Sequence, residues 1–87
     1  MFYTYVLESR ISNNIYVGST SDLEKRLREH NSGKMQSTKR YAPWSIIYYE
    51  ACLNEKDTRR REQYWKTSQG RRMLKGRLKE YFYEKKE

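Results

Sequence analysis

Cysteine, proline and long apolar runs are almost missing from this chain of 87 residues. Its single cysteine, Cys52, excludes an internal disulfide and any zinc site built from several cysteines. Its apolar neighbours predict a small buried residue there. No apolar run approaches the roughly 20 residues that a membrane-spanning helix needs, and the first residues lack the pattern of a signal peptide. We therefore expect a protein of the reducing cytoplasm that does not span a membrane.

Several common catalytic arrangements are missing as well. The sequence has one histidine and four glycines, and it shows no Ser/His/Asp arrangement, no Gly-rich phosphate loop and no zinc-ligand spacing. No pair of neighbouring carboxylates suggests a two-metal site.

Positive charge and tyrosine are what the chain has in excess. Nineteen Lys and Arg against eleven Asp and Glu give a net charge of +8, and nine residues are tyrosine. Disordered chains are poor in aromatic residues, so a folded domain is expected. The basic balance favours a polyanionic partner, most often nucleic acid, because binding to phosphates releases counterions.

The residue patterns predict three strands and three helices in one domain spanning 1–87, with 84–87 as a frayed tail. The strands are expected at 2–7, 15–18 and 44–50, and the helices at 22–30, at 54–66 and from 68 onward. The third strand is the most apolar and is expected to be central or well covered. The order β-β-α-β-α-α predicts an α+β fold in which a small three-stranded antiparallel sheet is flanked by helices.

Helix ends are suggested by capping residues. Ser21 and Glu24 have the spacing of a capping box, whereas Asn54 and Ser68 can cap the second and third helices. Gly33 suits the C-terminal cap of the first helix. The third helix is expected to continue through an apolar stripe to residue 82, and 34–40 is expected to be an exposed basic loop.

Two strand tyrosines and a glycine stand at the centre of a candidate site. Tyr5 and Tyr16 could be ordinary strand aromatics, which is the commoner role. They could also be two phenols that converge beside a turn and orient a water. Gly18 lies two residues after Tyr16, and glycine suits a position where a ligand or another backbone comes close.

Charged residues on two helices complete that candidate site. Arg26 lies one turn before His30, at the edge of an apolar stripe, where a guanidinium can clamp a phosphate. His30 is equally a helix-end residue or an acid-base group. Glu62 is the carboxylate on a helix face that otherwise looks inward with Thr58 and Trp65; it could pair with an arginine or hold a hard divalent metal.

Taken in order, these segments resemble the GIY-YIG endonuclease family, in particular its small stand-alone members, which are similar to the N-terminal nuclease module of the excinuclease C subunit. The two family motifs correspond to Tyr3-Thr4-Tyr5 and Tyr16-Val17-Gly18, separated by residues 6–15, a gap close to the family's usual length of about ten. Later blocks also match: Pro43-Trp44, Tyr48-Tyr49-Glu50 and Arg61-Glu62. The likeness covers about residues 2 to 80. Tyr3, Thr4 and Val17 depart from the residues that name the family.

The resemblance implies a role for each candidate. Tyr5 and Tyr16 would position or deprotonate the attacking water, and Gly18 would allow close packing beside them. Arg26 would stabilise the charge on the phosphate, with His30 assisting proton transfer or substrate orientation. Glu62 would hold one Mg²⁺ or Mn²⁺.

The same resemblance implies a metal-dependent endonuclease that hydrolyses DNA, with a role in repair or recombination. A nucleic-acid-binding module that keeps the fold without turnover is the alternative. A third hypothesis is an enzyme brought to its substrate by a partner protein. Some family members carry a late polar residue near the site, for which Thr67, Ser68 and Gln69 are the candidates here.

Overall fold

A three-stranded sheet with helices on both faces makes up the protein. The computed structural model describes residues 1–85. The strands are β1 (Phe2–Ser9), β2 (Ile15–Thr20) and β3 (Trp44–Cys52), and the helices are α1 (Leu23–Asn31), α2 (Glu55–Trp65), α3 (Ser68–Arg77) and α4 (Lys79–Lys85), with a short 3-10 turn at Lys39–Tyr41. The α+β class and the predicted order of elements are confirmed, and a fourth helix is added.

The central strand of the sheet is β1, because the strand order is β2-β1-β3 with both pairings antiparallel. The third strand, expected to be central or well covered, is therefore an edge strand, and the central position predicted for it was wrong. The composition of β1 does not indicate its burial, because the strand contains polar residues that are hydrogen-bonded inside the protein. The hydroxyl of Thr4, for example, is buried and donates to the carbonyl oxygen of Thr58 at 3.0 Å. By contrast, β3 is paired along one side, and Tyr49 on it is 52% exposed.

Alternation along the strands divides the core into two apolar layers. Tyr5 and Leu7 pack with Trp44 beneath α1. Val6 and the other residues of the second layer face α2 and α3 instead; they are Val17, Trp65 and Leu74. Side chains alternate between the two faces of a strand, and this alternation places α1 on one face of the sheet and α2 with α3 on the other.

Two predicted helix ends are confirmed. Asn54 caps α2, since its side-chain oxygen accepts from the backbone N–H groups of Lys56 and Asp57 at 2.9 and 3.1 Å. Gly33 follows the end of α1 with a φ of +77°, a left-handed conformation that glycine adopts without a steric penalty.

Two other caps lie one residue away from the predicted position. Asp22, rather than Ser21, caps α1, because its carboxylate accepts from the backbone N–H of Lys25 at 3.1 Å. Thr67, rather than Ser68, caps α3 by accepting from the N–H of Gly70 at 3.0 Å. In each case two adjacent residues have capping side chains, so composition alone does not choose between them.

The expected long third helix is interrupted at Leu78, where the backbone leaves helical geometry and α4 begins. The side chains of Tyr81 and Lys85 on α4 both bond the carboxylate of Glu8, the former at 2.5 Å. The predicted fraying of 84–87 is not seen for 84 and 85, which belong to α4, and its remainder lies outside the described residues. Cys52, predicted to be buried, is half-buried. Within residues 1–85 no helix has the length and apolarity to cross a membrane.

Candidate active site

A buried tyrosine and the single histidine join β1 to α1. Tyr5 and His30 are 1% and 0% exposed, and the Tyr5 hydroxyl lies 2.9 Å from Nε2 of His30. Tyr5 belongs to the apolar layer under α1, and His30 is the buried residue in the last turn of that helix. Two of the predicted site residues are therefore in direct contact.

Thr38 extends this contact into a chain of three polar side chains. Its hydroxyl lies 2.7 Å from Nδ1 of His30, and Thr38 is itself fully buried. A neutral imidazole has one donor and one acceptor, and a hydroxyl can serve either, so both ring nitrogens are satisfied. Thr38 was missed from the sequence because it lies within 34–40, which polar composition marked as an exposed loop. The loop places one threonine inward, and no local pattern signals that.

Tyr16 lies beside this chain and is half-buried. Its ring centroid is 4.9 Å from that of His30 and 6.4 Å from that of Tyr5. The structure thus brings the two predicted tyrosines together. Tyr16 is the one that retains access to solvent.

Gly18 makes room for this pair of rings. A Cβ atom at Gly18 would lie 2.5 Å from the Tyr5 hydroxyl oxygen and 3.0 Å from Cε2 of Tyr16. Real Cβ atoms do not approach other atoms so closely, and the Tyr5 ring is enclosed, so it cannot move aside cheaply. Glycine is needed here because the side chains of the two tyrosines, rather than another backbone, lie against it.

Arg26 reaches the end of β2 from α1. It lines a cavity there together with Ser19 and Thr20, and its Nε forms an ion pair with Glu29 at 3.2 Å. About a third of the Arg26 side chain is exposed, at 34%. A guanidinium in this position can bind a phosphate from solvent while the aliphatic part of the side chain stays packed against the protein.

Glu62 approaches the same end of β2 from the opposite face of the sheet. Its Oε1 accepts from the Ser19 hydroxyl at 2.6 Å, and its Oε2 forms an ion pair with Lys66 at 2.7 Å. The Glu62 side chain is 16% exposed, in agreement with a carboxylate on an otherwise inward face. Ser19 links the two charged residues, because it lines the Arg26 cavity and donates to Glu62.

The electrostatics of the site centre on the Tyr5 hydroxyl. Burial raises its pKa most, and the neighbouring Tyr16 raises it further. The positive charge of Arg26 opposes this rise in pKa, and the negative charge of Glu62 adds to it. Both charged groups therefore act on one buried phenol.

The surroundings of His30 disfavour its protonated form. Burial is the main cause that lowers its pKa, and the positive charge of Arg26 lowers it further, against a smaller opposite effect of Glu29. A neutral imidazole has one donor and one acceptor, and the hydroxyl groups of Tyr5 and Thr38 can pair with both.

The donors around Glu62 are compatible with a hard divalent cation. Across residues 1–85 there is no group of three or more His, Cys, Asp or Glu side chains suited to a metal. A carboxylate with a neighbouring hydroxyl, supplemented by water and phosphate oxygens, is nevertheless the kind of set that Mg²⁺ accepts, since it keeps several waters. Lys66 occupies one of the two carboxylate oxygens and would have to be displaced.

The late polar residue expected from the family is not identified among its three candidates. Thr67 uses its hydroxyl to cap α3 and to donate to the carbonyl oxygen of Tyr64 at 2.7 Å. Ser68 and Gln69 are exposed in the first turn of α3.

A small α+β domain that groups two tyrosines, a histidine, an arginine and a glutamate in this way has the features of a nuclease-type domain. The family model of the GIY-YIG catalytic domain matches residues 1–76. The chain belongs to the GIY-YIG family, a family of nucleases, and the resemblance stated from the motifs is confirmed.

Several relatives carry the name UPF0213. A UPF0213 protein of Clostridium perfringens strain 13 is 34% identical over 67 residues, which cover 76% of this chain and 71% of that protein. A UPF0213 protein of Streptococcus pyogenes serotype M3 is 49% identical over 49 residues, covering 55% of this chain and 52% of the relative. The match to this chain thus spans about half the length of the streptococcal relatives.

A solved structure has a similar fold. The solution NMR structure of a UPF0213 protein from Bacillus halodurans has a TM-score of 0.51 and 27% identity, with coverage of 85% of this chain and 82% of that chain.

Proposed function

We propose that this protein is a metal-dependent endonuclease that hydrolyses phosphodiester bonds in DNA and works in repair or recombination. The observation that carries the proposal is the grouping of Tyr16, Arg26 and Glu62 around the buried Tyr5–His30 contact: Tyr16 packs against both rings, and the charges of Arg26 and Glu62 act on the Tyr5 hydroxyl. These side chains come from β2, α1 and α2. Family membership supports the nuclease activity, while the DNA substrate, the metal and the pathway are our proposal.

Tyr16 is the group we assign to the attacking water. Its ring is half-buried, and its ring centroid lies 4.9 Å from that of His30. One side of the Tyr16 ring can therefore meet a solvent molecule, while the other side contacts the imidazole. A positioned phenol can orient a water, and its phenolate form can accept the proton of that water as the new bond to phosphorus forms. The bond from phosphorus to the leaving oxygen breaks in the same displacement, and the leaving oxygen takes a proton from solvent.

Tyr5 and His30 are assigned to positioning and proton sharing. Both are enclosed, and His30 is held at its two ring nitrogens by Tyr5 and Thr38. A rigid arrangement of this kind keeps the reactive groups in productive geometry before substrate arrives.

Arg26 is assigned to the phosphate. Charge accumulates on the non-bridging oxygens during hydrolysis, and a guanidinium stabilises it through two parallel hydrogen bonds. Glu62 would hold the single Mg²⁺ or Mn²⁺, with the Ser19 hydroxyl beside it. The ion would supply Lewis-acid stabilisation of phosphate charge when bound.

A non-catalytic nucleic-acid-binding module is the second candidate. The net charge of +8 favours it, as does the ion pair that occupies Glu62. A module of this kind would bind DNA in a salt-sensitive manner without metal-dependent products. A partner protein that supplies substrate recognition is compatible with either candidate.

Nicking of DNA separates these candidates. Purified protein is incubated with supercoiled, branched and single-stranded DNA, with Mg²⁺, with Mn²⁺ or with a chelator. Metal-dependent nicking that is lost in Glu62→Gln supports the endonuclease. Binding without nicking of any substrate, or equal nicking by wild type and Glu62→Gln, contradicts it.

A further inference from the structure

A cavity of about 190 Å³ opens between the end of β2 and the first turns of α2. Three consecutive hydroxyl residues line it, Ser19, Thr20 and Ser21, together with two arginines, Arg26 and Arg59. Hydroxyl groups and guanidinium groups are among the side-chain groups that contact phosphate oxygens in nucleic-acid complexes. None of the residue roles assigned above uses the α2 side of this cavity.

The cavity is continuous with the proposed active site. Arg26 lines it, and the Ser19 hydroxyl on its wall donates to Glu62 at 2.6 Å. A strand whose phosphate lies on Arg26 therefore has the cavity directly beside it. Arg59 stands on the far wall, on α2.

Arg59 is held at present by a weak partner. Its guanidinium forms an ion pair with Glu55 at 3.2 Å, and the two side chains are 69% and 55% exposed. Exposed ion pairs within one helix contribute little, because water and salt screen both charges. A phosphate offers Arg59 a bidentate partner that can take the place of Glu55.

We propose that this cavity is a second phosphate site, which binds the phosphate neighbouring the one on Arg26, with Arg59 as its ligand and Glu55 as the group that phosphate displaces. The proposal rests on the proposed function, since it extends the substrate strand beyond the phosphate on Arg26. It names a nucleic-acid strand with at least two successive phosphates as the ligand. It also predicts that Glu55 weakens binding.

The same helix provides a matched control pair. Arg60 and Asp57 form an ion pair at 2.6 Å, with side chains 80% and 52% exposed, and neither lines the cavity. Arg59→Gln and Arg60→Gln remove the same charge from adjacent positions. Glu55→Gln and Asp57→Asn both remove a negative charge from the first turn of α2. Asp57→Asn therefore also controls for the interaction of that charge with the helix dipole.

The first experiment measures binding of a fluorescent single-stranded oligonucleotide by anisotropy over a range of salt, with chelator present so that no cleavage occurs. We expect Arg59→Gln to weaken binding about 3- to 10-fold relative to Arg60→Gln. We also expect Arg59→Gln to make the slope of log K, the association constant, against log salt less steep by about 0.7. One phosphate of the single strand is then no longer neutralised. Glu55→Gln should bind about 2-fold or more tightly than Asp57→Asn. Equal values within each pair would overturn the proposal.

The second experiment tests the position of the site by cleavage. Two substrates each carry one neutral methylphosphonate linkage, next to the cut bond on one side or the other. In one of the two substrates the neutral linkage occupies the second phosphate site. Wild type and Arg60→Gln should cut that substrate more slowly than unmodified DNA, whereas Arg59→Gln should cut both at the same rate. If both substrates slow Arg59→Gln as much as wild type, the assignment of Arg59 is wrong.

The two proposals can fail separately. If wild type cuts nothing but the Arg59 and Glu55 effects on binding appear, the endonuclease proposal fails and the second phosphate site stands. If wild type cuts DNA and the paired variants behave alike in both experiments, the second site fails and the endonuclease stands.

Discussion

The Tyr5 hydroxyl and Nε2 of His30 lie 2.9 Å apart in the interior of the protein, with both residues at most 1% exposed. The second ring nitrogen of His30 is held by Thr38 at 2.7 Å. This histidine is therefore locked between two hydroxyl groups. The neighbouring Tyr16 is the phenol in this group that solvent and substrate can reach.

The two tyrosines are expected to respond differently to loss of the hydroxyl. Tyr16→Phe should lower kcat by about 10²-fold or more, the contribution of a positioned acid-base group, with little change in the free energy of unfolding. Tyr5→Phe should lower the free energy of unfolding by about 1–3 kcal/mol, because a ring nitrogen of His30 loses its buried partner. Urea denaturation and steady-state nicking rates measure the two effects. An unchanged unfolding free energy in Tyr5→Phe, or full activity in Tyr16→Phe, would contradict this division.

Gly18 and Gly76 provide a matched pair of glycine substitutions. Gly18→Ala should destabilise the protein by about 1–3 kcal/mol, as expected for an overpacked core, and reduce nicking, because the new methyl group would lie 2.5 Å from the Tyr5 oxygen. Gly76 lies in α3 with nothing within 4 Å of a Cβ. Gly76→Ala should therefore stabilise the protein by up to about 1 kcal/mol. Thermal and urea unfolding of both variants test the contrast, and a Gly18→Ala protein as stable as wild type would refute the close packing.

Much of the fold could be predicted because it depends on local patterns. The three strands and their order were predicted from runs of aromatic and β-branched residues, and the structure places them at nearly the same residues. The helix caps were predicted to within one residue because capping depends on the side chains next to the helix end. The central position of β1 could not be predicted, because it depends on pairing between distant segments and on hydrogen bonds such as that from Thr4 to Thr58.

The candidate site shows the same division between local and distant information. Glu62 could be selected because a carboxylate on an inward helix face is unusual. Thr38 could not, because its burial results from the path of a polar loop against His30. The two partners of Glu62 also could not be predicted from the sequence. Ser19 lies 43 positions away from Glu62 in sequence. Lys66 is an ordinary i,i+4 neighbour, and its importance comes only from its contact with Glu62.

The stability of the protein should depend on pH through His30. Its pKa in the folded state lies below the ordinary value of 6.5, so the unfolded chain binds more protons as the pH falls below about 6.5. The stabilisation from neutral His30 is complete above the unfolded pKa and is lost as the pH falls through the folded pKa. We expect the free energy of unfolding to decrease on acidification from pH 7.5 to 5, with a smaller decrease in His30→Gln. Urea titrations across this range provide the measurement, and equal slopes in the two proteins would exclude His30 as the cause.

Lys66 should compete with the metal for Glu62. Its ammonium group lies 2.7 Å from Oε2 of that carboxylate, and the Lys66 side chain is 40% exposed. A cation can therefore displace the ammonium group at a modest cost in free energy. Lys66→Met should lower the Mg²⁺ concentration for half-maximal nicking by about 2- to 5-fold, which corresponds to the roughly 0.5–1 kcal/mol of a partly exposed ion pair. Lys75→Met removes the same charge from an exposed position on α3 and should leave the Mg²⁺ requirement unchanged. The titrations are made at constant ionic strength. Equal shifts in both variants would point to a general effect of net charge, and loss of nicking in Lys66→Met at saturating Mg²⁺ would show instead that Lys66 acts on the substrate itself.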